Sequence, residues 1–81
     1  MTYEIVFYIK DDDMPEYGVL FHVFLYGVDD PEAARTFVSY LPYLSRSVAE
    51  RAHEFEWLEK SDDFMIYGTP DGEYRIEASR I

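Results

Sequence analysis

Apolar residues recur at every second position in the first third of the chain, which is the period of a β-strand. Residues 3–10 are rich in β-branched and aromatic types with apolar side chains at the odd positions, and they predict a first strand. Residues 19–26 predict a second strand that ends at Gly27. The stretch between them, 11–18, combines an acidic run with a proline and a glycine and predicts a loop. We therefore expect an antiparallel hairpin.

The middle of the chain changes to a helical period. Asp30 is a favourable N-cap and Pro31 suits the first helical position, so a helix is expected to run to about Tyr40. Pro42 disfavours helical geometry at the residue before it and predicts a break. Apolar residues then recur at steps of three and four, which predicts a second helix over roughly 44–60 with one apolar stripe. The stripe consists of Leu44, Val48, Ala52, Phe55 and Leu58.

A second hairpin is predicted near the end of the chain. Residues 64–68 and 73–79 have strand composition, and the sequence Thr-Pro-Asp-Gly at 69–72 suits a type I turn followed by glycine. Together the elements predict an α+β fold in one domain, residues 1–81. Its expected order is ββααββ, with a four-stranded, mainly antiparallel sheet and both helices packed on one face.

Strand alternation assigns side chains to the two faces of this sheet. The helix-facing set is expected to be Ile5, Phe7, Ile9, Val19, Phe21, Val23, Leu25, Phe64, Ile66, Tyr74 and Ile76. The opposite set would then be Val6, Tyr8, Leu20, His22, Phe24, Tyr26, Met65 and Tyr67. This opposite face is unusually apolar for a solvated surface. Either a loop or chain end covers part of it, or it is a contact surface with Tyr8, His22, Phe24, Tyr26 and Tyr67 as its aromatic members.

Charge changes this picture most. Seventeen acidic residues against seven basic ones give a net charge of -10, which repels nucleic-acid backbones and anionic lipid and attracts basic surfaces. Direct binding to nucleic acid or to a membrane is therefore disfavoured, including use of the aromatic face to stack single-stranded RNA. The chain has no cysteine, no basic leader and no long apolar run, so we expect a cytoplasmic protein.

No residue pattern indicates catalysis. Asp11, Asp12 and Asp13 could serve as calcium ligands, but the glycine and glutamate that an EF-hand loop requires are missing. His53 and Glu56 have a helical i, i+3 spacing without a second such pair, so a dedicated metal centre lacks ligands. There is neither a nucleophile elbow nor a glycine-rich phosphate loop. The expected protein is not an enzyme and has no cofactor or metal, although a small enzyme or carrier with a pocket between sheet and helices stays open.

The acidic residues fall in clusters on several predicted elements. The candidate partner-binding residues are Asp11, Asp12, Asp13, Glu16, Asp29, Asp30, Glu32, Glu50 and Glu54. In size, acidity and lack of catalytic motifs the chain resembles the small inhibitors carried by phages and mobile elements, including nucleic-acid mimics and anti-CRISPR proteins. This resemblance implies a stoichiometric inhibitor that docks on Lys and Arg of a nuclease or CRISPR effector in the host cytoplasm.

A second function class follows from the aromatic face. Acidity alone serves solubility in many small domains, and the aromatic face could then form a homodimer or another protein contact. Salt and charge reversal at the acidic clusters should weaken the first kind of binding. Truncation of Phe24 and Tyr67 should disrupt the second.

Overall fold

A computed structural model describes residues 1–11, 13 and 15–81, and it has an α+β architecture. The strands are β1 (Tyr3–Ile9), β2 (Gly18–Leu25), β3 (Glu56–Lys60), β4 (Phe64–Gly68) and β5 (Tyr74–Arg80). Between β2 and β3 lie helix α1 (Pro31–Tyr40), a 3₁₀ turn (Leu41–Leu44), the one-turn helix α2 (Arg46–Ala49) and a second 3₁₀ turn (Ala52–Glu54). No helix in the described part of the chain is both long enough and apolar enough to cross a membrane.

The five strands form one antiparallel sheet in the order β2-β1-β5-β4-β3. The two hairpins predicted from the sequence are present as β1-β2 and β4-β5. The predicted number of four strands was wrong, because β3 adds a fifth strand beside β4. Residues 61–63, which were expected to close a helix, instead turn β3 into β4, with Ser61 N donating to Phe64 O at 3.1 Å.

The start of α1 agrees with its sequence signals. Asp30 is the N-cap, and its Oδ1 accepts a hydrogen bond from Ala33 N at 2.9 Å. Pro31 occupies the first turn, where no intrahelical N–H is needed. The helix stops at Tyr40, and the predicted break at Pro42 takes the form of a 3₁₀ turn.

The predicted helix over 44–60 was wrong. Only Arg46–Ala49 is α-helical, and Glu56–Lys60 forms β3. Arg51 leaves helical geometry, with φ -106° and ψ 9°, and its side chain binds carboxylates of the β4-β5 turn region. After this point Phe55 and Trp57 alternate with glutamates, and both pack against Tyr67 of the sheet. Tertiary contacts thus override the apolar stripe.

The helical segment covers one face of the sheet, where the core lies. Tyr3, Ile5 and Phe7 of β1 are almost fully buried there, together with residues of β5 and with Ala34 and Val38 of α1. The Phe7 ring makes edge-to-face contacts with three other rings, those of Phe21, Phe55 and Tyr74. Burial of a side chain of this size stabilises the fold by about 1.5–3 kcal/mol.

The turn between β4 and β5 sets which face each β4 residue occupies. Thr69 N donates to Tyr74 O at 3.0 Å, and Gly72 N donates to Thr69 O at 3.0 Å with Gly72 at φ 80°. This register pairs Tyr67 with Ile76, so Tyr67 shares the helix-facing side. The expected assignment of β4 was therefore reversed: Met65 and Tyr67 face the helices, and Phe64 and Ile66 lie on the open face.

A β-bulge makes a second change of face on β2. Phe7 pairs with Phe21, whereas Tyr8 pairs with Val19, so Leu20 is the extra residue. Leu20 and Phe21 both line a pocket on the helix-facing side, and Val19 lies on the open face with 58% of its surface exposed. The expected positions of Val19 and Leu20 were thus exchanged.

Candidate interaction surface

The basic residues of the fold are largely engaged by its own carboxylates. Arg35 pairs with Glu32 and Asp62, and Arg51 with Glu54, Asp71 and Glu73. Arg75 pairs with Glu77, and Arg80 with Asp63. Four of the seven basic residues are therefore neutralised locally, and the excess of acid is left at other positions.

Two of the predicted partner-binding acids are among those already engaged. Glu32 Oε1 accepts from Arg35 Nε at 2.5 Å, and Glu54 Oε2 accepts from Arg51 Nε at 2.8 Å. Bonding to Arg51 lowers the pKa of Glu54 below its ordinary value. These two carboxylates contribute less outward field than an unpaired one would.

The unpaired acids are concentrated at the two ends of β2. Within the described ranges, Asp11, Asp13, Glu16, Asp29, Asp30, Glu50, Glu56 and Glu59 make no ion pair with a basic side chain. Asp11, Asp13 and Glu16 precede β2, and Asp29 and Asp30 follow it; all five are exposed. Asp12 lies outside the described residues. Glu50 is exposed beyond α2, not on the helix over 44–60 that was expected.

The loop before β2 is anchored to the β4-β5 turn. Tyr17 Oη donates to Gly72 O at 2.9 Å, and its ring lies 5.9 Å from the Tyr8 ring and 5.5 Å from Lys10 Nζ. Asp13 N donates to Asp11 Oδ1 at 2.9 Å. Tyr17 thus partly covers Tyr8, which was expected on the open face and lies there. Asp11, Asp13 and Glu16 therefore lie at one end of the sheet.

Three aromatic side chains of the predicted contact face follow one another along β2 and the residue just after it. The His22 and Phe24 ring centroids are 5.2 Å apart, and Phe24 stacks on Tyr26 at 6.2 Å. Phe24 is 45% and Tyr26 73% exposed. Tyr67, the remaining member, packs against Phe55 and Trp57 on the helix-facing side, where burial raises its pKa. The contact face as predicted therefore loses Tyr67.

Charged groups interrupt the rest of the open face. Glu4 Oε2 lies 2.9 Å from His22 Nε2, and Arg75 Nε donates to Glu77 Oε2 at 2.9 Å. Exposed apolar side chains of this face, those of Val19, Phe24 and Tyr26, thus lie on the β2 side of the sheet. Within the described residues no group of three or more His, Asp or Glu side chains is arranged to hold a metal ion.

The outer edge of β2 presents backbone groups that make no hydrogen bond within the described residues. Ile81 N donates to Thr2 O at 3.0 Å and Lys10 N to Glu73 O at 2.8 Å, so even-numbered β1 residues direct their N–H and C=O groups toward β5 and odd-numbered ones toward β2. The β2 partners of odd-numbered residues are Phe21, Val23 and Leu25. His22 and Phe24 lie between them and therefore direct their backbone groups outward, away from β1.

A pocket opens beside the bulge on the helix-facing side of the same strand. It has a volume of about 240 Å³ and is lined by Leu20 and Phe21 of β2, by Leu41, Leu44 and Val48 of the helical segment, and by five further residues. Ser45 and Ser47 contribute hydroxyls that lie 3.2 Å apart. The pocket can accommodate one apolar side chain, and it borders the free edge of the sheet.

Sequence reasoning identified the acids at both ends of β2 and left open a pocket between sheet and helices, but it missed the free edge and the residues that line the pocket. One signal was present: the eight residues Gly18–Leu25 carry no charged side chain apart from His22, in a chain of which 30% is charged. The bulge that directs Leu20 to the pocket has no comparable signal in the sequence. Comparison with protein-family models, with curated proteins and with solved structures found no match.

Proposed function

We propose that this chain is a non-catalytic binding protein that docks its unpaired carboxylates on the basic nucleic-acid-binding surface of a partner, such as a nuclease or a CRISPR effector, and inhibits it in the host cytoplasm. One observation carries the proposal: four of the fold's five arginines pair with its own carboxylates, and exposed, unpaired acids remain at both ends of β2. Carboxylates arranged in this way compete with phosphates for Lys and Arg.

The first test is competition for a nucleic acid. The immobilised chain is used to retain proteins from a host lysate, and each retained protein is purified and loaded with a fluorescent DNA duplex. One equivalent of the chain should release the duplex, and the release should weaken at least tenfold between 50 and 300 mM salt (roughly the screening range of surface charges). Retained proteins that keep their duplex in the presence of the chain would contradict the proposal.

A matched pair of triple variants tests whether position matters as well as charge. Asp11→Asn, Asp13→Asn and Glu16→Gln remove three unpaired carboxylates, whereas Glu32→Gln, Asp63→Asn and Glu77→Gln remove three that pair with arginines. The first variant should release the duplex far less effectively than the second. Equal losses would show that net charge alone drives the interaction.

The exposed row His22, Phe24 and Tyr26 supports a second candidate function, a homo-oligomeric interaction domain in which acidity serves solubility. Sedimentation equilibrium distinguishes the two. A dimer that becomes monomeric with Phe24→Ser would favour this second function, whereas a wild-type monomer at 100 µM (about the range of weak contacts) would exclude it.

A further inference from the structure

The two edges of the sheet differ in their protection against strand pairing. The β3 edge carries Glu56, Glu59 and Lys60 within five residues and a register shift at Leu58, which are common devices for blocking an exposed edge. The β2 edge has neither a proline nor an Asp, Glu, Lys or Arg side chain, and its one irregularity is the bulge at Leu20. In a chain with net charge -10, this strand is an unusually open template for another strand.

The residues around β2 indicate which charges and side chains an added strand should carry. The eight residues of β2 span roughly 26 Å at the usual rise per residue. Acids flank this uncharged stretch at both ends, with Asp11, Asp13 and Glu16 before it and Asp29 and Asp30 after it. The pocket beside Leu20 and Phe21 lies on the helix-facing side of the same edge, where it is open to a side chain of an added strand.

We propose that the outer edge of β2 binds an extended segment of a protein partner, with an apolar centre and Lys or Arg at both ends, as a sixth strand of the sheet. The backbone groups of His22 and Phe24 pair with the segment, one apolar side chain enters the pocket, and the terminal cations meet the acids. This inference rests on the proposed function, because it assumes that the partner is basic. It adds the way in which the partner's backbone contacts the sheet.

A second copy of this chain fits the edge less well. Antiparallel pairing of two β2 strands would bring Asp29 and Asp30 of one copy beside Asp11, Asp13 and Glu16 of the other. Like charges placed opposite one another in a sheet are destabilising. The same acids attract a basic segment, so the charge pattern discriminates between these two occupants.

Synthetic peptides test the strand addition without altering the protein. The probe is a fluorescent twelve-residue peptide with two lysines at each end and alternating threonine and valine between them, and binding is followed by anisotropy. N-methylation of one set of alternate residues should reduce affinity at least tenfold, whereas methylation of the other set should leave it within about twofold, because only one set faces β2. Equal effects of both sets, or no binding of the unmethylated peptide, would overturn strand addition.

The role of the segment's charges is tested with the same anisotropy assay, and further measurements locate the contact and test a second copy of the chain as the alternative occupant. Replacement of the four lysines by glutamates should abolish binding, and equal affinity of both peptides would overturn the role of the acidic ends. Hydrogen exchange should slow at the amides of His22 and Phe24 in the complex. Sedimentation can also show whether two copies of the chain pair through β2. A dimer of this kind that persists at every concentration of the lysine peptide would assign the edge to a second copy instead.

Two variants at one position separate this inference from the proposed function. Phe24→Pro removes an outward N–H without affecting the ladder to β1, whereas Phe24→Ala removes the ring and keeps the N–H. The proline variant should bind the lysine peptide at least tenfold more weakly than the alanine variant, with thermal unfolding as the check of folding. If the proline and alanine variants bind the peptide equally well, strand addition is overturned. If the triple variant Asp11→Asn, Asp13→Asn and Glu16→Gln loses binding in the same assay, the electrostatic proposal still stands.

Discussion

Arg51 and Asp71 join two segments that lie 20 residues apart in the sequence, with Arg51 Nη2 donating to Asp71 Oδ2 at 2.8 Å. The same guanidinium binds Glu54 and Glu73, and it lies 5.8 Å from the centre of the Tyr74 ring. Asp71 Oδ1 in turn accepts from Thr69 Oγ1 at 2.7 Å and from Glu73 N at 3.0 Å. One arginine thus ties the end of the helical segment to the β4-β5 turn.

Replacement of Arg51 should destabilise the fold even when the positive charge is kept. Arg51→Lys retains the charge but loses the planar fork that reaches three carboxylates, so its thermal midpoint should fall by several degrees. The thermal midpoint of Arg51→Gln should fall further, because Glu54, Asp71 and Glu73 then repel one another. Arg75→Lys, which affects a single pair on the open face, is the control and should change the midpoint little. Differential scanning fluorimetry at pH 7 measures all three.

The Asp71 carboxylate should make stability depend on pH in the acid range. The hydroxyl of Thr69, the amide of Glu73 and Arg51 lower the pKa of Asp71 from 3.8 to about 2. A group whose pKa is lower in the folded state stabilises it above its unfolded value, and this contribution is lost as pH falls from about 4 to about 2. Because half of this side chain is exposed, we expect roughly 1 kcal/mol or less. Urea unfolding should show Asp71→Asn less stable than the parent at pH 6 and the difference vanishing near pH 2.

The hydroxyl of Tyr3 should contribute more to the free energy of unfolding than the hydroxyl of Tyr8. Tyr3 is fully buried, and its Oη donates to Asp62 O at 2.6 Å, which connects β1 to the β3-β4 turn. Tyr3→Phe leaves this carbonyl without its partner and should cost about 1–2 kcal/mol. Tyr8→Phe removes a hydroxyl on the open face and should be nearly neutral. Equal losses for the two variants in urea unfolding would contradict this account of Tyr3.

Gly68 should tolerate a methyl group less well than Gly27. A Cβ at Gly68 would lie 2.5 Å from Tyr74 O and 3.2 Å from Arg75 Cα, both backbone atoms of the paired strand. The β4-β5 pair would have to separate, so Gly68→Ala should cost about 2–3 kcal/mol. Gly27 has φ 67° and open space around its Cβ position, so Gly27→Ala should cost about 1 kcal/mol from backbone strain alone. Urea unfolding of both variants at pH 7 gives the comparison.

Local patterns predicted the elements whose signals lie within a few residues. The first two strands, the capped start of α1 at Asp30 and the turn at 69–72 all have such signals, and each is present in the structure. The segment after Leu44 fits two periods, since its apolar residues recur at helical spacing while Phe55 and Trp57 alternate with glutamates. Contacts of Arg51 with Asp71 and Glu73 favour the second period. Local sequence contains no information about those distant partners.

The candidate site was predictable in its charge but not in its geometry. The acids before and after β2 are visible in the sequence, whereas the free edge depends on strand order, which places β2 outermost. The face of Tyr67 was within reach of sequence reasoning, because a four-residue turn at 69–72 implies that Tyr67 pairs with Tyr74, which lies on the same face as its observed partner Ile76. The exchange of faces between Val19 and Leu20 could not be predicted from the sequence, because a bulge depends on backbone geometry that side-chain patterns do not specify.

The bulge at Leu20 also bears on fibril formation. A growing stack of strands needs each new strand to repeat the hydrogen-bond spacing of the one before it, and the extra residue breaks that spacing near the start of β2. A segment of limited length can pair beyond the bulge, along Phe21 to Leu25, but an indefinite stack would have to reproduce the irregularity in every layer. The edge can therefore remain open to one partner with a built-in limit on polymerisation.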